Sequence, residues 1–241
     1  MQPDELADVL QQVRDKRGYL LPHHGLMAVS MPRLLDAYDE LYSTLALTER
    51  QLSRHDHEFV WMGVLIATDE ILGTHHIKRF QDAGGSNDEL AAATAITALA
   101  KGCQAYHFVN DHWLAHLPDF DPQQHYLDCF RTIAGATPLP LAHMTACAVH
   151  TCTGHWDALR WQIGAAYEDN TDELQLAESL SLAMFPGSVP NYVEAAGVWR
   201  ELIASGAVPA SELFQNWAQL SGQGGYDEAV GVSNNHTSNQ S

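Results

Sequence analysis

The segment Ser86-Asn87-Asp88-Glu89-Leu90-Ala91-Ala92-Ala93-Thr94-Ala95-Ile96-Thr97-Ala98-Leu99-Ala100-Lys101-Gly102 carries the marks of a helix from its first residue to its last. Ser86 stands three residues before Glu89, the spacing of a capping box. In that motif the serine side chain accepts from the third helical N–H and the glutamate accepts from the serine N–H. Lys101-Gly102 is a break of the kind found at helix C-termini. A second segment is built alike: Thr171-Asp172-Glu173-Leu174 matches Asn87-Asp88-Glu89-Leu90, with Asn170 three residues before Glu173, and this helix is expected to run to Pro186-Gly187. A further helix follows each, with Tyr106 and Trp113 in one half and Tyr192 and Trp199 in the other. Recurrence at this length predicts two copies of one helical unit, packed as a pseudo-dimer about a shared core.

Outward from these segments, apolar residues recur at helical rather than alternating spacing, so the chain is expected to be all-α. Helices are expected over residues 4–15, 33–45, 49–82, 89–101, 105–116, 125–133, 142–167, 173–185, 190–205 and 211–220. The two longest contain Gly73 and Gly154 and are expected to break there. The organisation expected is an N-terminal repeat with lead-in helices over 1–120, a C-terminal repeat over 121–220, and a tail over 221–241. Gly222, Gly224, Gly225 and the polar run Ser233-Asn234-Asn235-His236-Thr237-Ser238-Asn239-Gln240-Ser241 give that tail little to bury, so it is expected to be disordered.

Composition excludes several classes of function. At 241 residues, 46% hydrophobic and 17% charged, the chain is too apolar for a disordered protein or a coiled coil. A formal charge of −18 without a basic stripe leaves nothing to neutralise phosphates, so no nucleic-acid partner is expected. The acidic start Met1-Gln2-Pro3-Asp4-Glu5 is unlike a secretory leader. The longest apolar run, Phe59 to Ala67, has roughly half the length of a membrane span. Four Cys do not make a disulfide framework. A cytoplasmic protein without membrane contact is expected.

Glu58, the apolar helix after it, His76, and Asp82-Ala83-Gly84-Gly85-Ser86-Asn87-Asp88-Glu89-Leu90 together resemble the carboxymuconolactone decarboxylase and AhpD-like (alkylhydroperoxidase D-like) family. Gln162-Ile163-Gly164-Ala165-Ala166-Tyr167, Thr171-Asp172-Glu173-Leu174 and Ala183-Met184-Phe185-Pro186-Gly187-Ser188-Val189-Pro190 resemble it in the second half. Gly18-Tyr19-Leu20-Leu21-Pro22 and Met31-Pro32-Arg33-Leu34-Leu35 look like its lead-in helices. The resemblance covers roughly residues 18 to 205 and implies an AhpD-like helical bundle, a small-molecule substrate and a homo-oligomer. The peroxidase branch places a Cys-x-x-Cys pair seven and four residues before its His, and here those positions are Asp69 and Leu72, so no dithiol cycle is available there. With Gln162 aligned to His76, the position seven upstream in the second half is His155.

The residues themselves suggest acid/base chemistry. On one continuous helix, Asp69 and His76 lie seven residues apart on one face, and Glu58, eleven before Asp69, falls on roughly the same face. A carboxylate beside an imidazole orients it and tunes it for proton transfer near neutral pH. His76, Asp69 and Glu58 are therefore the expected catalytic residues. His155, His150 and Trp161 are the expected substrate-binding residues, His155 taking a substrate carboxylate. The activity that the resemblance implies is that of a cofactor-free decarboxylase-like lyase on a small carboxylated or ring-cleaved aromatic catabolite. Three alternatives stand beside it: a divalent-metal enzyme with ligands from Asp69, His76, His150 and His155; a binding or assembly protein; and, ranked last, a thiol peroxidase using Cys147 and Cys152. The i,i+4 pairs His107/Asp111 and His112/His116 also have a spacing that can hold a metal.

Overall fold

The computed structural model describes residues 3–223 and Gly225. They are helical throughout, with no strand among the described residues. Almost all of the expected tail, with its Asn235-His236-Thr237 sequon, lies outside them. The chain divides into two compact units, one ending at Arg50 and one beginning at Gln51. The boundary expected at 120/121 falls inside the second unit.

The first unit holds α1 (Pro3–Arg17), α2 (Pro22–Ser30) and α3 (Pro32–Tyr42), the last running into a π-helical turn over Ser43–Leu47. Val13, Met27, Ala28 and Leu35 form its core, with Leu6, Val9, Leu10, Leu20 and Tyr38 around them. Arg17 is buried against the rings of Tyr38 and Tyr42 and pairs with Asp39. The proline at the first position of α2 suits a helix start, because its missing N–H would have had no helical partner. Sequence reading left this short helix out.

The second unit holds α4 (Arg54–Ala67), α5 (Thr74–Asp82), α6 (Asn87–Gly102), α7 (Gln104–His112), α8 (Pro122–Ala134), α9 (Leu139–Thr153), α10 (Trp156–Glu168), α11 (Glu173–Ser181), α12 (Val189–Ala204) and α13 (Glu212–Gln219). Every residue of α9 from Leu141 to Cys152 is buried, the signature of a helix surrounded on all sides. α4 lies along α9; α5 and α6 pack on α4, while α6, α10 and α11 pack on α9. The close approach of α4 and α9 depends on Gly63: a Cβ there would run into Thr145 Cγ2 and come within 3.3 Å of Thr97 Oγ1. Buried Glu178 on α11 ties down the chain entering α4, accepting from the N–H groups of Gln51 at 2.6 Å and Leu52 at 3.1 Å.

Two expectations about local structure need correction. The helix expected over 49–82 is two helices, because the chain leaves α4 at Thr68, passes through Asp69 in the left-handed region (φ 54°) and re-enters helix at Thr74. The break expected at Gly73 is present. Gly73 sits so close under Leu65 that a Cβ would come 2.6 Å from its side chain. The first capping box forms as expected, with Glu89 N–H donating to Ser86 Oγ and Ser86 N–H donating to Glu89 Oε2. The second does not: Asp172 caps α11 by accepting from Gln175 N–H at 2.9 Å, and Asn170 is a left-handed turn residue (φ 55°). Glu173 instead accepts from Tyr167 Oη at 2.6 Å and from the Ser211 N–H at 3.0 Å.

Urea denaturation checks both points. Gly63→Ala is expected to cost about 1–3 kcal/mol by overpacking the helix crossing. Asp172→Ala is expected to cost about 1 kcal/mol through the lost cap, whereas Asn170→Gly, which suits a left-handed turn, is expected to cost nothing. A loss at Asn170→Gly equal to that at Asp172→Ala would restore the cap to Asn170.

Candidate functional site

Glu58 is the fifth residue of α4 and points inward with 1% of its surface exposed. His76 is the third residue of α5, 2% exposed, and its Nδ1 lies 2.7 Å from Glu58 Oε2. Trp61, one turn after Glu58, stacks on the His76 ring at 4.3 Å between centroids and 25° between planes. The ring of His75, the preceding residue, lies 4.4 Å from the His76 ring at a tilt of 42°. His57 brings its Nδ1 within 3.9 Å of Glu58 Oε1. Trp61 Nε1 is buried without a hydrogen-bond partner.

Burial dominates the electrostatics of this pair. Removal from water penalises the Glu58 carboxylate and pushes its pKa up to about 7, against weaker downward pulls from His57, Arg79 and Arg54. The same burial, helped by Arg79 and His57, pushes His76 well below its usual value. Below about pH 7 the pair holds one proton, on Glu58, and loses it as pH rises through that value, an arrangement suited to proton transfer across the one hydrogen bond.

Asp69 is not part of this arrangement. The single helical face expected to carry Glu58, Asp69 and His76 does not form, because the backbone turns between Thr68 and Gly73. The Asp69 side chain is 90% exposed, with Lys101 Nζ at 4.0 Å. It lines instead an open cleft of about 470 Å³ with Met62, Leu65, Ile66, Gly73 and Thr74. The walls of this cleft include the immediate neighbours of Trp61 on α4 and of His76 on α5.

The second half carries a buried polar chain that sequence reading largely missed. His143, the fifth residue of α9, donates from Nε2 to Asp169 Oδ2 at 2.8 Å and accepts at Nδ1 from Gln162 Nε2 at 2.6 Å. Tyr126 on α8 donates to Gln162 Oε1 at 2.8 Å, and His150 Nε2 lies 3.3 Å from Tyr126 Oη. Burial lowers the pKa of His143 against the pull of Asp169, and lowers that of His150 to about 3. Gln162 was noted only as the counterpart of His76. His143 and Tyr126 gave no signal of their own; the fully apolar surroundings of His143 in α9 were the available hint, since a buried polar group needs partners.

His150 and His155 do come near one another, with ring centroids 6.3 Å apart, because α9 ends at Gly154 in the left-handed conformation (φ 68°). Trp161 stacks on His107 at 3.8 Å, so the expected binding residues gather with a residue expected only as a weak metal ligand. Asp69 and His76 lie elsewhere, and among the described residues no three His, Cys, Asp or Glu side chains are placed to hold a metal ion together. The four expected ligands Asp69, His76, His150 and His155 are therefore not gathered into one group among the described residues. Cys147 and Cys152 are free and buried; burial raises both thiols, that of Cys152 to about 12, which leaves them unreactive.

The pH dependence of the Glu58–His76 pair follows from linkage. Between the ordinary values of 4.5 for the carboxyl and 6.5 for the imidazole, the unfolded pair holds one proton on His and the folded pair holds one on Glu58, so its contribution to stability is flat. Below that window the unfolded chain takes up a second proton that folded His76 refuses, and stability falls as pH falls. From 6.5 to about 7 only the folded pair keeps a proton, and stability falls slightly as pH rises. Carboxyl carbon NMR is expected to show Glu58 titrating with a midpoint near 7, a signal absent in Glu58→Gln. A midpoint in the ordinary carboxylate range would contradict a proton held on Glu58.

No protein-family model matches this chain, and neither the curated proteins nor the solved structures contain a match to it.

Proposed function

We propose that this chain is an acid/base enzyme of the carboxymuconolactone decarboxylase type, a carbon–carbon lyase acting on a small carboxylated or ring-cleaved aromatic catabolite. The observation that carries the reading is the buried hydrogen bond of 2.7 Å between His76 Nδ1 and Glu58 Oε2. The family itself is an inference from the resemblance of Glu58, His76 and the Gly84-Gly85-Ser86 turn. Further support comes from the recurrence of a buried contact at matching places: fifth residue of α4 to α5 in one half, fifth residue of α9 to α10 in the other.

In this reading the bond between the substrate carboxylate and its carbon breaks, CO2 leaves, and the electron pair passes into a conjugated carbonyl of the substrate. The carbon is then protonated. His76 gives the proton from Nε2 while Glu58 passes its own to Nδ1, so the pair ends as a carboxylate beside a neutral imidazole and recovers its proton from solvent. Trp61 holds the imidazole plane. A largely apolar cleft of about 470 Å³ runs past Met62 and Ile77, the chain neighbours of Trp61 and His76.

A screen of ring-cleaved aromatic acids for CO2 release tests the reading. His76→Ala and Glu58→Gln are each expected to lower turnover by about 10²–10⁴-fold, the usual worth of a positioned acid or base, with the helical circular dichroism intact. Asp69→Asn is expected to keep activity within about twofold of the parent, as befits an exposed side chain. Full activity in His76→Ala would end the assignment.

A further inference from the structure

We propose that His107, His150 and His155 form a second ligand site, separate from Glu58–His76, that takes a neutral hydroxylated small molecule, a phenol being the simplest case. The cluster draws on α7, α9 and the first residue before α10. Three ring nitrogens in it are buried without a hydrogen-bond partner: His107 Nε2, His150 Nδ1 and His155 Nδ1. A buried polar atom left unpaired is costly; the His150 and His155 rings lie 6.3 Å apart and His107 is near enough to act electrostatically on both, so the three mark a position built for an occupant.

The polar chain behind His150 fixes what that occupant must offer. The Asp169 carboxylate only accepts, so His143 donates to it from Nε2 and accepts at Nδ1. The amide nitrogen of Gln162 fills that Nδ1, and its oxygen takes the Tyr126 hydroxyl proton. Tyr126 Oη then accepts from His150 Nε2–H, which leaves His150 Nδ1 with an unused lone pair. On the opposite side, Gln104 Nε2 donates to His155 Nε2 at 2.6 Å, so His155 carries its proton on Nδ1 and has an unused donor. A hydroxyl group donates to the first and accepts from the second. A carboxylate would set its charge against the His150 lone pair, which makes this a poor anion site. The stacked rings of His107 and Trp161 give it a flat border, and Trp161 and His155 are only half-buried, which leaves a way in.

Calorimetric titration of the whole chain with phenol, and with benzoate as the charged counterpart, tests the proposal. Saturable one-to-one phenol binding is expected, weakened at least tenfold in His150→Phe and in His155→Phe, unchanged in Glu58→Gln, with benzoate weaker than phenol. Absence of saturable phenol binding, equal or tighter binding of benzoate, or unchanged affinity in the two histidine variants would overturn it. If either variant loses its helical circular dichroism, long-range proton–nitrogen spectra of the parent decide instead. Phenol is expected to shift the Nδ1 resonances of His150 and His155, and resonances that stay in place would overturn the site. Loss of the Glu58–His76 reading would leave every one of these outcomes readable.

Discussion

The close crossing of α4 and α9 at Gly63 is the constraint on which the second unit depends. With no Cβ at Gly63, Thr145 and Thr97 reach the backbone of α4, and α9 becomes a helix buried on every side. Such a helix has no solvent face for its polar residues, so each must find an internal partner. Thr145 and Thr151 return their hydroxyls to carbonyls one turn earlier, at Leu141 and Cys147. His143 and His150 cannot do so and recruit Gln162, Asp169 and Tyr126.

The same packing gives the two halves of the unit different chemistry at comparable places. Glu58 and His143 each stand fifth in their helix and each meets a side chain from the next helix, His76 in one case and Gln162 in the other. A carboxyl and an imidazole can exchange a proton across their hydrogen bond. An amide and an imidazole cannot do so readily, and the second pair instead fixes the direction of every bond leading to His150. One half is therefore suited to moving a proton and the other to presenting a fixed pattern of donors and acceptors. Burial opposes charge on Glu58, His76, His143 and His150 alike, because each side chain sits among apolar helices.

Helical content was legible in the sequence because it rests on local signals, periodicity and caps; Glu58 and His76 were grouped on a continuous helical face that does not form, and their direct hydrogen bond is a contact between α4 and α5. The position of Asp69 was not legible, because a helical wheel assumes continuity, and the chain leaves the helix at Thr68 before Asp69 is reached. The cap on α11 was misplaced for a related reason. Asn170 and Asp172 both have capping side chains, and backbone geometry rather than spacing decides between them. The contacts of Tyr126, His143 and His107 with residues 26 to 54 positions further along are tertiary. No window of sequence contains them.

A double-mutant cycle on CO2 release most directly tests the claim that Glu58 and His76 act as one proton-sharing unit. The account predicts that Glu58→Gln, His76→Ala and the double variant lose turnover to similar extents, because removing either partner already dismantles the unit. Losses that simply multiply in the double variant would show two independent residues and contradict it.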